Sequence, residues 1–347
     1  MLNFFLWFLF VCLTANAFAD DSIKLSKQLA AVVQPEPIKR VNPKYPMKAA
    51  REGRAGWAKF SFIVEKDGTV SNVVELKSSG SKDITKAAKQ AIKNWRYEPA
   101  MENGEPIQQC VNTVKISFKM EGGSDGVRKK FRKAYQLAID ALKKKDYPEF
   151  ERLKERLQSF KYRHIGEHNY LQSLLALHAE QLGDSKKQLA HLSNISFIND
   201  DEKSQQFKHS VLSNRFMLAI KLSQFKMASD VYQQLMKLDI NSEQRQQYNN
   251  LMEKVEDLIA SEKAFVVAGD IGNKDFWHYS LVRNEFTLTE ISGRLTKLDV
   301  RCANKRHVYT VENNNSWKLP SAWRSCDLYI YGENNSQFKL IEHGQKT

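Results

Sequence analysis

Between Val41 and Met120 the hydrophobic period of the chain switches from two to 3.6 and back to two, and that order constrains the fold more than any other feature. Pro43-Lys44-Tyr45-Pro46, Gly53 and Gly56 lead into a stretch in which Trp57, Lys59, Ser61 and Ile63 alternate with Ala58, Phe60, Phe62 and Val64. This is the period-two pattern of a strand with a solid apolar face. Asp67-Gly68 supplies a turn, and Val70, Val73, Val74 and Leu76 make a returning strand. From Lys82 to Trp95 the pattern becomes helical, with Ile84, Ala87, Ala88, Ala91, Ile92 and Trp95 on one face. Pro99 stops that helix, and Val111, Val114, Ile116 and Phe118 supply a third strand. The prediction is a helix over a three-stranded antiparallel sheet with one edge left open.

Four motifs in this order resemble the C-terminal domain of TonB: Pro43-Lys44-Tyr45-Pro46, the glycines at 53 and 56, Asp67-Gly68-Thr69-Val70, and Trp95-Arg96-Tyr97-Glu98-Pro99. Singly each is weak; their joint order and spacing are not. The resemblance implies a domain that binds rather than catalyses and needs no cofactor. An extended segment of an outer-membrane receptor joins the sheet as an extra strand, so that backbone hydrogen bonds give affinity and alternate side chains set register. It places the contact on Val111, Thr113, Lys115 and Ser117 of the last strand, beside Arg40, Asn42, Lys44 and Tyr45. Tyr45, Pro46, Trp95 and Tyr97 also read as residues of the fold itself. In the best-known members of the family Gln stands in the place of Asn42. Typical members also carry a membrane anchor and a long Pro-rich spacer, whereas the leader here is about 16 residues and reaches about 55 Å when extended.

The first 19 residues read as an export signal, with an apolar core from Phe4 to Leu13 and Ala17-Phe18-Ala19 as a cleavage site. The segment has no Lys or Arg before its core, so an uncleaved anchor is the alternative. Val11 before Cys12 argues against a lipoprotein site. The expected compartment is the periplasm, or the inner membrane if the anchor stays, where an ExbB/ExbD-type motor becomes a partner. The net charge of +13 is dispersed along the chain except at Arg128–Lys133, which reads as a solvated helix face. Export makes nucleic acid a poor partner. Of the cysteines left after cleavage, Cys302 and Cys326 are expected to form a disulfide in an oxidising compartment, and Cys110 to be a buried thiol.

The expected organisation is multidomain α+β: signal peptide 1–19, leader 20–35, TonB-like α+β domain 36–121, linker 122–127, helical region 128–262 and a small β-sandwich 263–347. Gly122-Gly123-Ser124-Asp125-Gly126 marks the linker. Beyond it, the turn points Lys145-Asp146, Gly183-Asp184 and Ser223-Gln224 recur roughly every 40 residues and predict helical hairpins, a degenerate tetratricopeptide-like solenoid that serves protein contacts. After Lys263, short alternating runs separated by turns predict the sandwich, with Trp317, Trp323 and Tyr329 in its core. His164-Ile165-Gly166-Glu167-His168 matches an inverted zinc-peptidase signature, but Gly166 weakens the helix it needs and no third ligand is recognisable, so an exposed helix start is expected. Two functions follow from different classes: an adaptor that engages outer-membrane transporters through the sheet edge, and an envelope scaffold that has lost receptor binding.

Overall fold

A computed structural model describes residues 36–79, 81–102, 104–119, 127–160, 164–197 and 202–344. The expected signal peptide (1–19), the leader (20–35) and linker residues 122–126 lie outside the described residues. The chain is mixed α/β. The first block contains β1 (Pro37–Lys39), α1 (Met47–Arg51), β2 (Gly56–Val64), β3 (Val70–Ser78), α2 (Lys82–Lys93), β4 (Arg96–Tyr97), β5 (Ala100–Glu102), β6 (Glu105–Ile107) and β7 (Gln109–Phe118). Strands β3-β2-β7 form an antiparallel sheet in that order, while β1 pairs with β4 and β5 with β6.

Alternation sends Ala58, Phe60, Phe62 and Val64 toward α2, where they meet Ile84, Ala88 and Ile92 in one core. The helix ends at Lys93, two residues before the sequence pattern does, because Trp95 leaves the helix to donate its indole N–H to the Val41 carbonyl (2.8 Å). The β2–β3 turn depends on Gly68: its φ is +77°, and a Cβ there would lie 2.1 Å from the Tyr97 carbonyl oxygen. Asp67 completes the turn by accepting from the Thr69 N–H (2.9 Å) and hydroxyl (2.7 Å).

The second block is helical: α3 (Lys129–Lys143), α4 (Tyr147–Ser159), α5 (Ile165–Gln181), α6 (Ser185–Leu192), α7 (Glu202–Lys221), α8 (Phe225–Leu235) and α9 (Ser242–Ala260). The three recurring turn points have one geometry. Lys145, Gly183 and Ser223 have φ of +58°, +70° and +54°, and the N–H of the next residue reaches back to Ala141, Ala179 and Ala219. These are Schellman closures, each turning a helix into its hairpin partner. Asp146 and Asp184 then cap α4 and α6 by accepting from Glu149 N (3.2 Å) and Lys187 N (2.9 Å).

The third block holds β8 (Phe265–Ile271), β9 (Phe276–Ser280), β10 (Glu285–Ser292), β11 (Leu295–Arg301), β12 (Arg306–Tyr309), β13 (Asn315–Lys318), β14 (Asp327–Gly332) and β15 (Ser336–Glu342). They make two antiparallel sheets, β13-β10-β15-β8 and β12-β11-β14-β9, whose inward residues share a core. Cys302 and Cys326 are joined by a disulfide. Trp317 and Trp323 pack against that core; Tyr329, expected there too, is fully buried outside it, on the opposite face of β14 from Leu328 and Ile330 and under Arg301. That core runs on without a break into α7–α9 through Phe216, Phe225, Met252 and Ile259. Arg283 reinforces the junction by donating to the carbonyls of Leu258 (2.7 Å), Ile259 (3.0 Å) and Ser261 (2.9 Å) at the end of α9.

Two stability changes are expected. Lys145→Gly and Ser223→Gly each relieve a left-handed non-glycine residue, so thermal melting should show each variant stabilised by about 1 kcal/mol. The disulfide spans 24 residues of sequence, and replacing Cys302 and Cys326 together by Ser should cost about 3 kcal/mol in denaturant unfolding.

Candidate functional site: the free edge of the amino-terminal sheet

The sheet β3-β2-β7 has two edges, and the rest of the chain meets them differently. The Lys274 ammonium donates to the Leu76 carbonyl on β3, and the Arg301 guanidinium donates to the Asn72 carbonyl (3.4 Å) and side-chain oxygen (3.3 Å). Arg301 is itself fully buried and paired with Asp299 (2.9 Å), which also binds Arg306. At β7 the ladder with β2 runs from Gln109 to Phe118, and among the described residues no strand pairs with its outer side. An unpaired row of N–H and C=O groups is a template for a further strand.

β7 is not a uniform edge. Val111 faces Phe62 and is buried, whereas Thr113, Lys115 and Ser117 are exposed. The register shifts between the Phe60 and Phe62 pairings, so the strand bulges near Thr113. Lys115 is already engaged: its ammonium donates to the Ser196 hydroxyl (3.1 Å) and lies 5.0 Å from the centre of the Trp57 ring.

The segment before α1 flanks the same layer. Arg40 is exposed and sits over Trp95 (5.3 Å) and Tyr97 (5.7 Å); Trp95 packs on Phe62, the partner of Val111. Asn42 and Lys44 are exposed. Tyr45 belongs to the fold: its ring meets Phe118 edge-on at 5.4 Å and its hydroxyl donates to the Arg54 carbonyl (2.5 Å). Burial raises the Tyr45 phenol above its ordinary pKa. Of the expected contact residues before α1, Tyr45 touches β7 at Phe118 and Arg40 reaches Trp95 and Tyr97 instead.

Arg54 fixes this frame. Only 3% of it is exposed, and its guanidinium grips Asp83 through two bonds (2.9 and 2.6 Å) and Glu52 through one (2.6 Å). Asp83 opens α2, so the pair ties the start of β2 to the helix. Hydrogen bonding from Arg54 outweighs burial and holds the Asp83 carboxyl well below the usual carboxylate range. The motif reading did not identify this pair, because Arg54 and Asp83 are 29 residues apart and neither lies on an amphipathic stripe.

The second face of β2 also differs from expectation. Trp57, Ser61 and Ile63 are buried on the side away from α2. Trp57 meets His168 of α5 edge-on at 6.4 Å, and Cys110, opposite Ile63, is buried with its thiol 3.9 Å from the Lys305 carbonyl. Burial pushes the Cys110 thiol up to about 12, which leaves it without thiolate chemistry at neutral pH. The sequence signal was present: Trp57 and Ile63 are large apolar residues on the face expected to be wet.

The His164–His168 motif is a structural lock and not an exposed helix start. Glu167 is fully buried and accepts from the Arg128 backbone N–H (3.0 Å), Nε (2.7 Å) and Nη2 (2.6 Å). His168 is buried with Nε2 at 3.1 Å from the Asn194 carbonyl. The carboxylate that would activate water is thus committed to an arginine. Among the described residues no group of three potential metal ligands converges, and no helix is long and apolar enough to cross a membrane.

One helix packed on a three-stranded antiparallel sheet, with β7 at an edge, defines a small α+β domain. Residues 41–120 match the family described as Gram-negative bacterial TonB protein C-terminal. Protein TonB of Escherichia coli K12 is 34% identical over 91 residues, 26% of this chain and 36% of that protein. Protein TonB of Vibrio cholerae is 30% identical over 83 residues, 24% of this chain and 34% of that protein. The solution NMR structure of the Pseudomonas aeruginosa TonB C-terminal domain aligns with 29% identity over 25% of this chain and 86% of that chain, at a TM-score of 0.23. The chain spans about a third of the length of the curated relatives it matches. Residues 41–120 are a TonB C-terminal domain.

The Arg54–Asp83 pair gives a pH prediction. The folded-state pKa of Asp83 lies below its unfolded value of 3.8, so its contribution is complete above about pH 4 and is lost as pH falls further. Asp83→Asn should lower stability at pH 7 by about 1–2 kcal/mol, discounted for the partial exposure of Asp83. The gap between variant and wild type in urea unfolding should narrow below pH 4.

Proposed function

We propose that this protein is a TonB-type adaptor of the bacterial envelope, in which β7 accepts an extended segment of an outer-membrane transporter as an added strand. The observation that carries the reading is the asymmetry of the sheet: the side of β3 is held by Lys274 and Arg301, while the outer side of β7 has no strand partner among the described residues. Backbone pairing along Gln109–Phe118 supplies affinity, and the exposed side chains of Thr113, Lys115 and Ser117 set register. Arg40, Asn42 and Lys44 meet the flank of the incoming segment. The work is binding and not catalysis. We further propose the division 36–121, 128–262 and 263–347, with the helical hairpins and the two-sheet unit anchoring the sheet to other envelope components.

Hydrogen exchange on the full chain tests this reading. A peptide from the periplasmic segment of a transporter should protect amides of β7 and leave those of β3 unchanged. Proline at Thr113 or Lys115 should abolish binding in whichever variant places the lost N–H on the outer side, with melting confirming that it folds. Unchanged affinity in both variants, or protection confined to β3, would count against the edge assignment.

A further inference from the structure

The outer face of the sheet carries a row of charge that crosses all three strands. Lys59 on β2 stands directly opposite Lys77 on β3 and directly opposite Lys115 on β7. Side chains so paired have Cβ atoms about 5 Å apart, and like charges in that relation repel. The row points away from α2, toward α7, which brings Arg215 close enough to disfavour the charge on all three lysines. Lys274 joins at the β3 end, beside Lys77.

Little answers this charge. Among the described residues neither Lys59 nor Lys77 has a hydrogen-bond or ion-pair partner, and the Nε of Arg215 is shielded from water with no acceptor. Asp230 lies near Lys59 but is paired with Lys226; Glu75 and Asp275 lie near Lys274. Burial first, then Lys59, Arg215 and Lys274, push Lys77 down to about 7. Burial is the cause that lowers Arg215. Half-buried cations without a partner cost stability, and an entering anion would offset that cost.

We propose that the junction of this face with α7 is an anion site in which Lys59, Lys77, Lys115 and Arg215 hold a compact ligand carrying two or more phosphate groups. Ammonium groups bind phosphate as point charges from several directions, and the guanidinium adds a planar fork. Two cross-strand steps give a row about 10 Å long, which suits linked phosphates better than one carboxylate. Lys115 is exposed and marks the way in from the β7 side. The phosphates belong either to a soluble polyphosphate or to a lipid headgroup. Lys115 is shared with the edge proposed above to accept a strand, whereas Lys59, Lys77 and Arg215 lie off β7, so variants at Lys77 and Arg215 test this site separately.

The test uses the full chain in chloride buffer. Pyrophosphate or tripolyphosphate at about 1 mM should raise the melting temperature by several degrees over sodium chloride of equal ionic strength. Lys77→Met and Arg215→Gln should each weaken that effect at least about tenfold, while Lys129→Gln in the basic α3 run should leave it unchanged. Without anion, Lys77→Met should melt higher than wild type, because it removes an unpaired cation; a purely structural lysine would give a lower melting point. Flotation with phosphatidic acid vesicles separates the sources: capture that Lys77→Met abolishes, without a pyrophosphate effect, assigns the phosphates to a lipid. No response to either probe, or a response that Lys77→Met retains in full, overturns the proposal.

Discussion

The architecture depends on β2 being buried on both faces. Its even-numbered residues Ala58, Phe60, Phe62 and Val64 and its odd-numbered Trp57, Ser61 and Ile63 are all buried, with only Lys59 half-exposed among its residues. A strand with one wet face lets a domain stand alone, as antiparallel sheets often do. A strand with two dry faces needs a second layer, and here the helical block and the two-sheet unit supply it. Burying Trp57 and Ile63 alone is worth about 3–6 kcal/mol by area. That is comparable with the whole stability of a small domain.

This second layer is also what makes the sheet asymmetric. Contacts to the sheet come from β11, the β8–β9 turn and α5, and those made by Arg301 and Lys274 fall on β3. The β7 side receives side-chain contacts, Lys115 to Ser196 and the Cys110 thiol to the Lys305 carbonyl, and no strand pairing among the described residues. Side-chain donors from the body of the protein reach backbone carbonyls of β3, whereas the outer side of β7 has no strand partner among the described residues. The bulge near Thr113 and the inward Val111 limit the free, regular part of that edge to its carboxyl-terminal half.

Much of this was legible in the sequence because the signals are local. Alternation, the Asp67-Gly68 turn, the amphipathic stripe from Ile84 to Ile92, the three hairpin turns and the Cys302–Cys326 pair are each set by neighbours in the chain or by residue chemistry. What stayed hidden is non-local. Period two says that Lys59 and Trp57 share a face, but not what covers that face. Register decides that Lys77 and Lys115 flank Lys59, and two bulges in the β2–β3 ladder, with Asn72 at φ +50°, put that register beyond simple counting from Asp67-Gly68. Glu167 reads as a polar helix-start residue, and only the fold brings Arg128 across 39 positions to bury it.

The same constraint decides how this domain differs in use from one that stands alone. Cutting the chain after β7 would bare Trp57 and Ile63, open a strip of apolar surface beside three lysines, and release β3 as a second free edge. Such a fragment would offer two templates for strand pairing instead of one, and an apolar patch of the kind that drives association. In the whole chain both liabilities are removed by the same set of contacts. The helical block and the two-sheet unit are therefore structural partners of the sheet, and any pull on β7 passes through β2 into Trp57–His168 on the one side and the core around α2 on the other. A load taken up at two buried faces resists peeling of the edge strand better than one borne by a single helix, because both layers must separate before β2 can follow β7 out of the sheet.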